Sequence, residues 1–348
     1  MPVVDADRGR AAERSPAPDG LTQRISRRPA GLERRLEHLP DGHPSAPGYR
    51  DGPHRAGPGD DTSPGAVPSD RGQVLTDQEH GDHGAEVRAL LADAQDHGLA
   101  SDHQHTMDAE RKVWTADRQT MHDALIEDLY RAASAVPCEG LAILAGGLGG
   151  AGKSTVLARH AGPELARYLM VNPDDMTREL ARRGLIPEIP GLSPMEAADL
   201  VHEESSHLAK RMGRRAEADG KNVIWDYTMS TADSAVARVA SLRAAGYARI
   251  EAVFVDVPVE LAVRRADARY REGHEAYRAG EGFGGRYVPA EVIRSQADEV
   301  WGSKNRASFE RVKTLVDAWF RYDNSGGAAV LAESGGHAGR KESRDERN

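Results

Sequence analysis

The sequence predicts an α/β fold in which a parallel sheet is flanked by helices, and three observations support that expectation. Short apolar runs at Leu141 to Ala145, Tyr168 to Val171, Val223 to Trp225 and Ile250 to Val255 are each followed by a stretch that can form a helix, the alternation that builds parallel sheets. The last of these runs is apolar on both alternations apart from Glu251, as expected for a strand covered on both faces. The first run leads directly into Gly146 to Thr155, GGLGGAGKST, in which Gly147 and Gly152-Lys153-Ser154 satisfy G-x-x-x-x-G-K-[ST].

That stretch has a chemical meaning. Glycines let the backbone curl so that successive N–H groups point at phosphate oxygens, and a helix opening at the end of the loop adds its positive N-terminal dipole. Gly147, Leu148, Gly149, Gly150, Ala151, Gly152, Lys153, Ser154 and Thr155 are therefore the candidate nucleotide-binding residues. Lys153 would reach the β- and γ-phosphates of ATP, and Ser154 would hold Mg²⁺. The expected fold type is that of P-loop NTPases and kinases.

Composition bounds the rest. Residues 1–75 of the 348 are crowded with Pro, Gly, Asp and Arg and lack long apolar runs; such a segment buries too little surface to offset its ordering entropy, so a disordered N-terminal extension is expected. Its Arg24 to Arg28 and Arg34-Arg35 pieces are either contacts for anionic partners or part of a solvated tail. The folded domain is expected over residues 86–332, with a second disordered tail over 333–348 where Gly-Gly and alternating charges return. The net charge of −9 argues against a protein built to neutralise a nucleic-acid backbone. A single cysteine, Cys138, no apolar leader and no bilayer-length apolar run point to a cytoplasmic setting without a membrane partner.

Along the chain, the first structured stretch is expected at Glu86 to Ala135, and within it a helix whose inner face carries Trp114, Met121, Leu125 and Leu129. The upstream histidines His80, His83, His97, His103 and His105 match no recognised metal-ligand spacing. Pro173, Asp174 and Asp175 stop the second strand at the edge where ligands of parallel sheets collect. Met195 to Asp219 reads as a helix with Ala197, Val201, Ser205, Leu208, Met212 and Ala216 inward. His202 and His207 on it are five residues apart, about 140° around the axis, so they cannot share one ion. Glu203 and Glu204 are either surface carboxylates or active-site acids.

Asp226 ends the third strand with Thr228 close behind; Asp226 is either a site residue or the cap of a helix starting near Ser230. The helix Val259 to Arg271 carries Arg264, Arg265, Arg269 and Arg271, and a Gly-rich segment from Gly273 to Gly285 follows. Together they suit a lid over phosphates, arginine giving multidentate contacts, or a solvated basic face. Phe309, Val312, Val316, Trp319 and Phe320 read as an amphipathic helix leading to an edge strand at Ala328 to Leu331.

In this order, GGLGGAGKST, Val-Asn-Pro-Asp174, Val-Ile-Trp-Asp226-Tyr-Thr228, Arg269-Tyr and Gly-Arg286-Tyr-Val-Pro resemble the zeta toxin family of P-loop kinases. The resemblance covers about Trp114 to Leu331. It implies transfer of the ATP γ-phosphate to the 3′-hydroxyl of UDP-N-acetylglucosamine, with an antitoxin as a protein partner. It also implies that Lys153 and Ser154 serve ATP and Mg²⁺, that Asp174 is the catalytic aspartate, that Asp226 and Thr228 bind the acceptor, and that Arg269 and Arg286 stand by the transferring phosphate. A family glutamate on the sugar nucleotide falls near Lys210 without gaps, and Glu203 or Glu204 would replace it. Three functions stay open on these grounds: a zeta toxin-like kinase, a kinase of another hydroxylated metabolite or antibiotic, and a nucleotide-binding interaction module.

Overall fold

The structure, a computed structural model, describes residues 75–108 and 113–336. The expected extension up to residue 74 and the tail from residue 337 lie outside the described residues. Folded chain begins earlier than expected. Thr76 caps helix α1 (Asp77–Asp96) with a reciprocal capping box: its hydroxyl accepts the Glu79 N–H, and Glu79 accepts the Thr76 N–H at 2.7 Å. Val87, Leu91 and Ala94 form its buried stripe.

The stretch expected from Glu86 to Ala135 holds more than the one helix foreseen within it. Gly98, at φ +70°, donates to the Gln95 carbonyl and Leu99 to that of Ala94, closing the end of α1. A short turn of helix, α2 (Ser101–Gln104), and a pair of antiparallel strands, β1 (Thr106–Asp108) and β2 (Val113–Trp114), then precede α3 (Ala116–Ala132). Trp114 is therefore on a strand, its ring edge-on to His122 at 4.9 Å. Leu125 is buried within α3, whereas Met121 faces solvent.

The remaining elements alternate as the apolar runs predict. They are β3 (Leu141–Gly146), α4 (Lys153–Ala161), β4 (Leu169–Val171), α5 (Pro173–Arg182), α6 (His202–Ala218), β5 (Val223–Asp226), α7 (Ala232–Ala244), β6 (Arg249–Asp256) and α8 (Val259–Arg278). A short helix α9 (Ala290–Arg294) and the strand pair β7 (Ala297–Asp298) and β8 (Gly302–Ser303) lead into α10 (Lys304–Val312), β9 (Ala318–Asp323) and β10 (Val330–Gly336). Two corrections belong to the C-terminal part. Trp319 and Phe320 lie on β9, not on the helix with Phe309 and Val312, and Glu333 to Gly336 belong to β10 instead of a tail.

The six-stranded sheet has the order β10-β9-β6-β3-β5-β4, parallel throughout except for the antiparallel edge strand β10. On β3, Ala142 and Leu144 join a core with α1, α3, α6, α7 and α10, while Ile143 and Ala145 join a second core with α4 and α8. Both faces are covered, which explains the unbroken apolar runs. From β3 the chain goes out to β4, returns to β5 beside β3, and then crosses to β6 on the other side. That reversal opens a crevice at the carboxyl end of β3, where ligands of such sheets bind.

Candidate functional site

The glycine-rich loop occupies that crevice. Gly150, at φ +84°, lies so close to α8 that a Cβ there would be 2.3 Å from the Ala262 carbonyl oxygen, a position only glycine tolerates. Leu148 and Ala151 turn into the core, so only their backbone can face a ligand. Gly152, also at φ +84°, caps α4, and Ser154 and Thr155 are exposed on its first turn. Asn324, just past β9, fastens the loop by donating its side-chain N–H to the Ala151 carbonyl at 2.8 Å and its backbone N–H to Asp256. Asn305, fully buried on α10, donates to the Thr228 carbonyl at 2.7 Å, which also accepts the Gly147 N–H. Neither asparagine was singled out in the sequence, since each acts on a loop far away along the chain.

From Lys153 a line of charged groups crosses the crevice. Its Nζ lies 3.8 Å from Oδ1 of Asp226, the last residue of β5, which pairs in register with Ala145. Asp226 caps no helix, because α7 begins at Ala232 behind Thr231. Its other oxygen accepts a hydrogen bond from the Asn172 side chain at 3.0 Å, and Asn172 in turn accepts the Asp174 N–H at 2.8 Å. Asp174 thus stands in the first turn of α5 with its carboxylate ion-paired to Arg286. Arg286 also lies 3.9 Å from Asp199, an acid that no sequence signal marked, on the 3₁₀ turn Glu196–Val201.

Burial and neighbours set the carboxyls apart. Burial pushes Asp174 up, but Arg286, then Arg269 and Lys153, outweigh it and hold the group below the usual carboxylate range. Asp226 moves the other way: burial pushes it up, and Lys153 offsets this only in part. Arg269 is exposed on α8, close enough to act on Asp174. The structure therefore gathers Lys153, Asp174, Asp226, Arg269 and Arg286 around the loop, with Thr228 exposed beside it.

Two expectations need correction. Glu204 is fully buried and belongs to no crevice: Arg118 donates to both its oxygens at 2.6 and 2.8 Å, and His122 contacts it at 2.6 Å. Those partners come from α3, a helix whose pairing with α6 the sequence did not disclose. The Gly-rich segment is also no free lid. Helix α8 continues through Gly273 to Arg278, and Gly285 packs on it so tightly that a Cβ would be 2.1 Å from the Tyr270 carbonyl oxygen. Phe283 accepts the Met195 N–H at 2.9 Å. Here glycine permits contact and fixes Arg286 in place.

Among known proteins, the family model described as Zeta toxin matches residues 134–333, more than half of the chain. No curated protein matches. Crystal structures of the AvrRxo1-ORF1:AvrRxo1-ORF2 complex, one with sulphate ions and one with ATP, are similar at 20% identity, covering 64% of this chain and 68% of theirs with a TM-score of 0.49. A structure from the PezAT chromosomal toxin-antitoxin system of Streptococcus pneumoniae is similar at 14% identity, covering 61% of this chain and 81% of its own, with a TM-score of 0.43.

Proposed function

Because the chain belongs to the zeta toxin family of P-loop kinases, we propose that it transfers the γ-phosphoryl group of ATP to a hydroxyl of a small molecule, a UDP-amino sugar such as UDP-N-acetylglucosamine being the acceptor class the family implies. The observation that carries this reading is the line Lys153, Asp226, Asn172, Asp174, Arg286 across the mouth of the glycine-rich loop. Phosphoryl transfer gains mostly from positioning and from positive charge around a loose transition state. Lys153 and the backbone N–H groups of Gly147 to Thr155 hold the phosphates, Arg269 and Arg286 neutralise the group in flight, and Asp174 orients the acceptor hydroxyl and takes its proton.

The donors suit Mg²⁺. Among the described residues Oδ1 of Asp226 is buried without a hydrogen-bond partner, and the Ser154 hydroxyl stands exposed at the start of α4; both are hard oxygen ligands of the kind this ion prefers. When bound, the ion would neutralise charge on the phosphates. Asp226 and Ser154 would orient it, while Lys153 offsets part of the rise that burial gives the Asp226 carboxyl.

With Glu204 buried, Asp199 is the acid beside Arg286 and takes the acceptor-facing role in this reading, together with Thr228. The same substitution of one acid for another favours, as a second reading, a kinase whose acceptor is a different hydroxylated metabolite. An antitoxin partner belongs to the family reading as well. Incubation with ATP, Mg²⁺ and a panel of UDP-sugars and other metabolites, followed by mass spectrometry, tests both. A UDP-amino sugar heavier by one phosphoryl group supports the first, phosphorylation of another compound supports the second, and ATP consumption with every acceptor unchanged refutes both.

A further inference from the structure

Away from the crevice, α1 meets α8 and the 3₁₀ turn Glu196–Val201 through a cluster of imidazole and carboxylate groups. His83 Nε2 is 2.8 Å and His274 Nδ1 is 2.9 Å from Oε1 of Glu196, and the three atoms all lie within 4.8 Å of one another. The two imidazole rings are tilted against each other with centroids 4.3 Å apart. Glu196 is 113 residues from His83 and 78 from His274 along the chain, so no spacing in the sequence announces the set.

We propose that His83, Glu196 and His274 form a binding site for a divalent transition-metal ion of the zinc class, which fastens α1 to the kinase domain. Two imidazoles and one carboxylate are a borderline nitrogen and oxygen donor set that suits Zn²⁺ and neighbouring first-row ions and leaves a fourth position open. Tetrahedral zinc with ligand bonds near 2.0–2.1 Å separates its donors by about 3.3 Å. The two spacings to Glu196 open to that value by about half an ångström, within the reach of small side-chain rotations.

The surroundings are built for the purpose. Ser193 donates its backbone N–H and its hydroxyl to Oε2 of Glu196, both at 2.8 Å, and the Tyr270 hydroxyl donates to Oε1 at 3.0 Å. Such outer contacts fix a ligating carboxylate in one orientation. Glu196 and His274 are 3% and 7% exposed, whereas His83 is partly open and offers the way in. His80 adds another imidazole beside the set, its ring 6.0 Å from that of His274 and its Nδ1 buried without a hydrogen-bond partner among the described residues.

A metal here has a structural consequence. His83 lies outside the matched family region, while Glu196 is three residues before Asp199 and His274 follows Arg269 by five on α8. The ion would lock the added helix onto two segments that border the crevice. Holding distant segments together only in the folded state stabilises that state by the binding free energy. The proposal stands or falls independently of the phosphotransferase reading.

The test uses the full chain, freed of any affinity tag and of metal by a chelator, at neutral pH. Calorimetric titration with Zn²⁺ is expected to find one equivalent bound, with a raised melting temperature. His83→Gln and His274→Gln should each weaken that binding at least about tenfold. Co²⁺ on the unaltered protein should give the intense visible bands of a four-coordinate nitrogen and oxygen site, which does not depend on any variant folding. Absence of a bound equivalent, absence of those bands, or equal Zn²⁺ affinity in the folded variants would overturn the proposal.

Discussion

At the scale of single residues the account rests on the pair Asp174 and Arg286. Asp174→Asn keeps the shape but removes the proton acceptor, so ATP should still bind while kcat falls about 10² to 10⁴-fold, the usual worth of a positioned base. Arg269→Ala and Arg286→Ala should lower kcat with little change in ATP affinity, since their charge matters most in the transition state. Lysine at either position should restore only part of the rate, a point charge being no substitute for the guanidinium fork. Arg286 is also the largest of the charges that hold Asp174 low. Removing it raises the Asp174 pKa, so the acid limb of the kcat profile should move to higher pH; an unmoved limb in an active variant would separate the two groups. Lys153, Asp174 and Arg286 could be picked from the sequence as candidates because each lies in a short local motif. Asp199, Asn305 and Asn324 could not, because only contacts across the fold bring them to the crevice.

At the scale of elements, the seam between α3 and α6 shows what periodicity can and cannot reveal. Ser205, Leu208, Met212 and Ala216 on α6 are buried as their spacing predicts, and Ala197 and Val201 are buried on the 3₁₀ turn that replaces the expected first turns of that helix. Glu204 on the same helix is buried too, and only the ion pair with Arg118 and the contact with His122 explain it. Breaking such a pair from one side leaves an uncompensated charge, so Glu204→Gln should cost about 3–5 kcal/mol in denaturant titrations. Substrate KM in the folded variant should stay unchanged, which an acceptor-binding role would not allow.

Acid should loosen the same seam. Burial opposes ionisation of Glu204, but His122 and Arg118 hold its carboxyl down at about 2, from 4.5. A depressed carboxyl contributes its full stability above the unfolded value and loses it as pH falls toward the folded one. His207, lowered from 6.5 to about 4 by burial and then by His122, adds a loss that begins at higher pH. Unfolding free energy should therefore decline from about pH 6.5, where His207 begins to titrate, down to about pH 2, where the Glu204 loss is completed, and His207→Asn should flatten the part above pH 4. Equal slopes for the two proteins would exclude His207 as a contributor. Glycine density alone suits a lid between Gly273 and Gly285, yet both glycines are contact points. Gly285→Ala should push Arg286 away from Asp174 and reduce kcat without reducing ATP affinity.

At the scale of the molecule, the fold class was readable because apolar runs, acids at their ends and the glycine-rich loop all agree on one parallel sheet. Breaks before α3 and after α10 were not readable, since Trp114, Trp319 and Phe320 suit a strand or a helix equally well by spacing. The order of the strands, with β5 and β6 on either side of β3, is what brings Asp226, Asp174 and Arg286 to one crevice. Catalysis by that crevice is the central claim, and it is tested most directly by following ATP radiolabelled at its γ-phosphate. The account predicts that the native protein moves the label onto a small-molecule acceptor and that folded Lys153→Ala loses about 10²-fold or more of this rate. Label released only as inorganic phosphate, or transferred equally by both proteins, would contradict it.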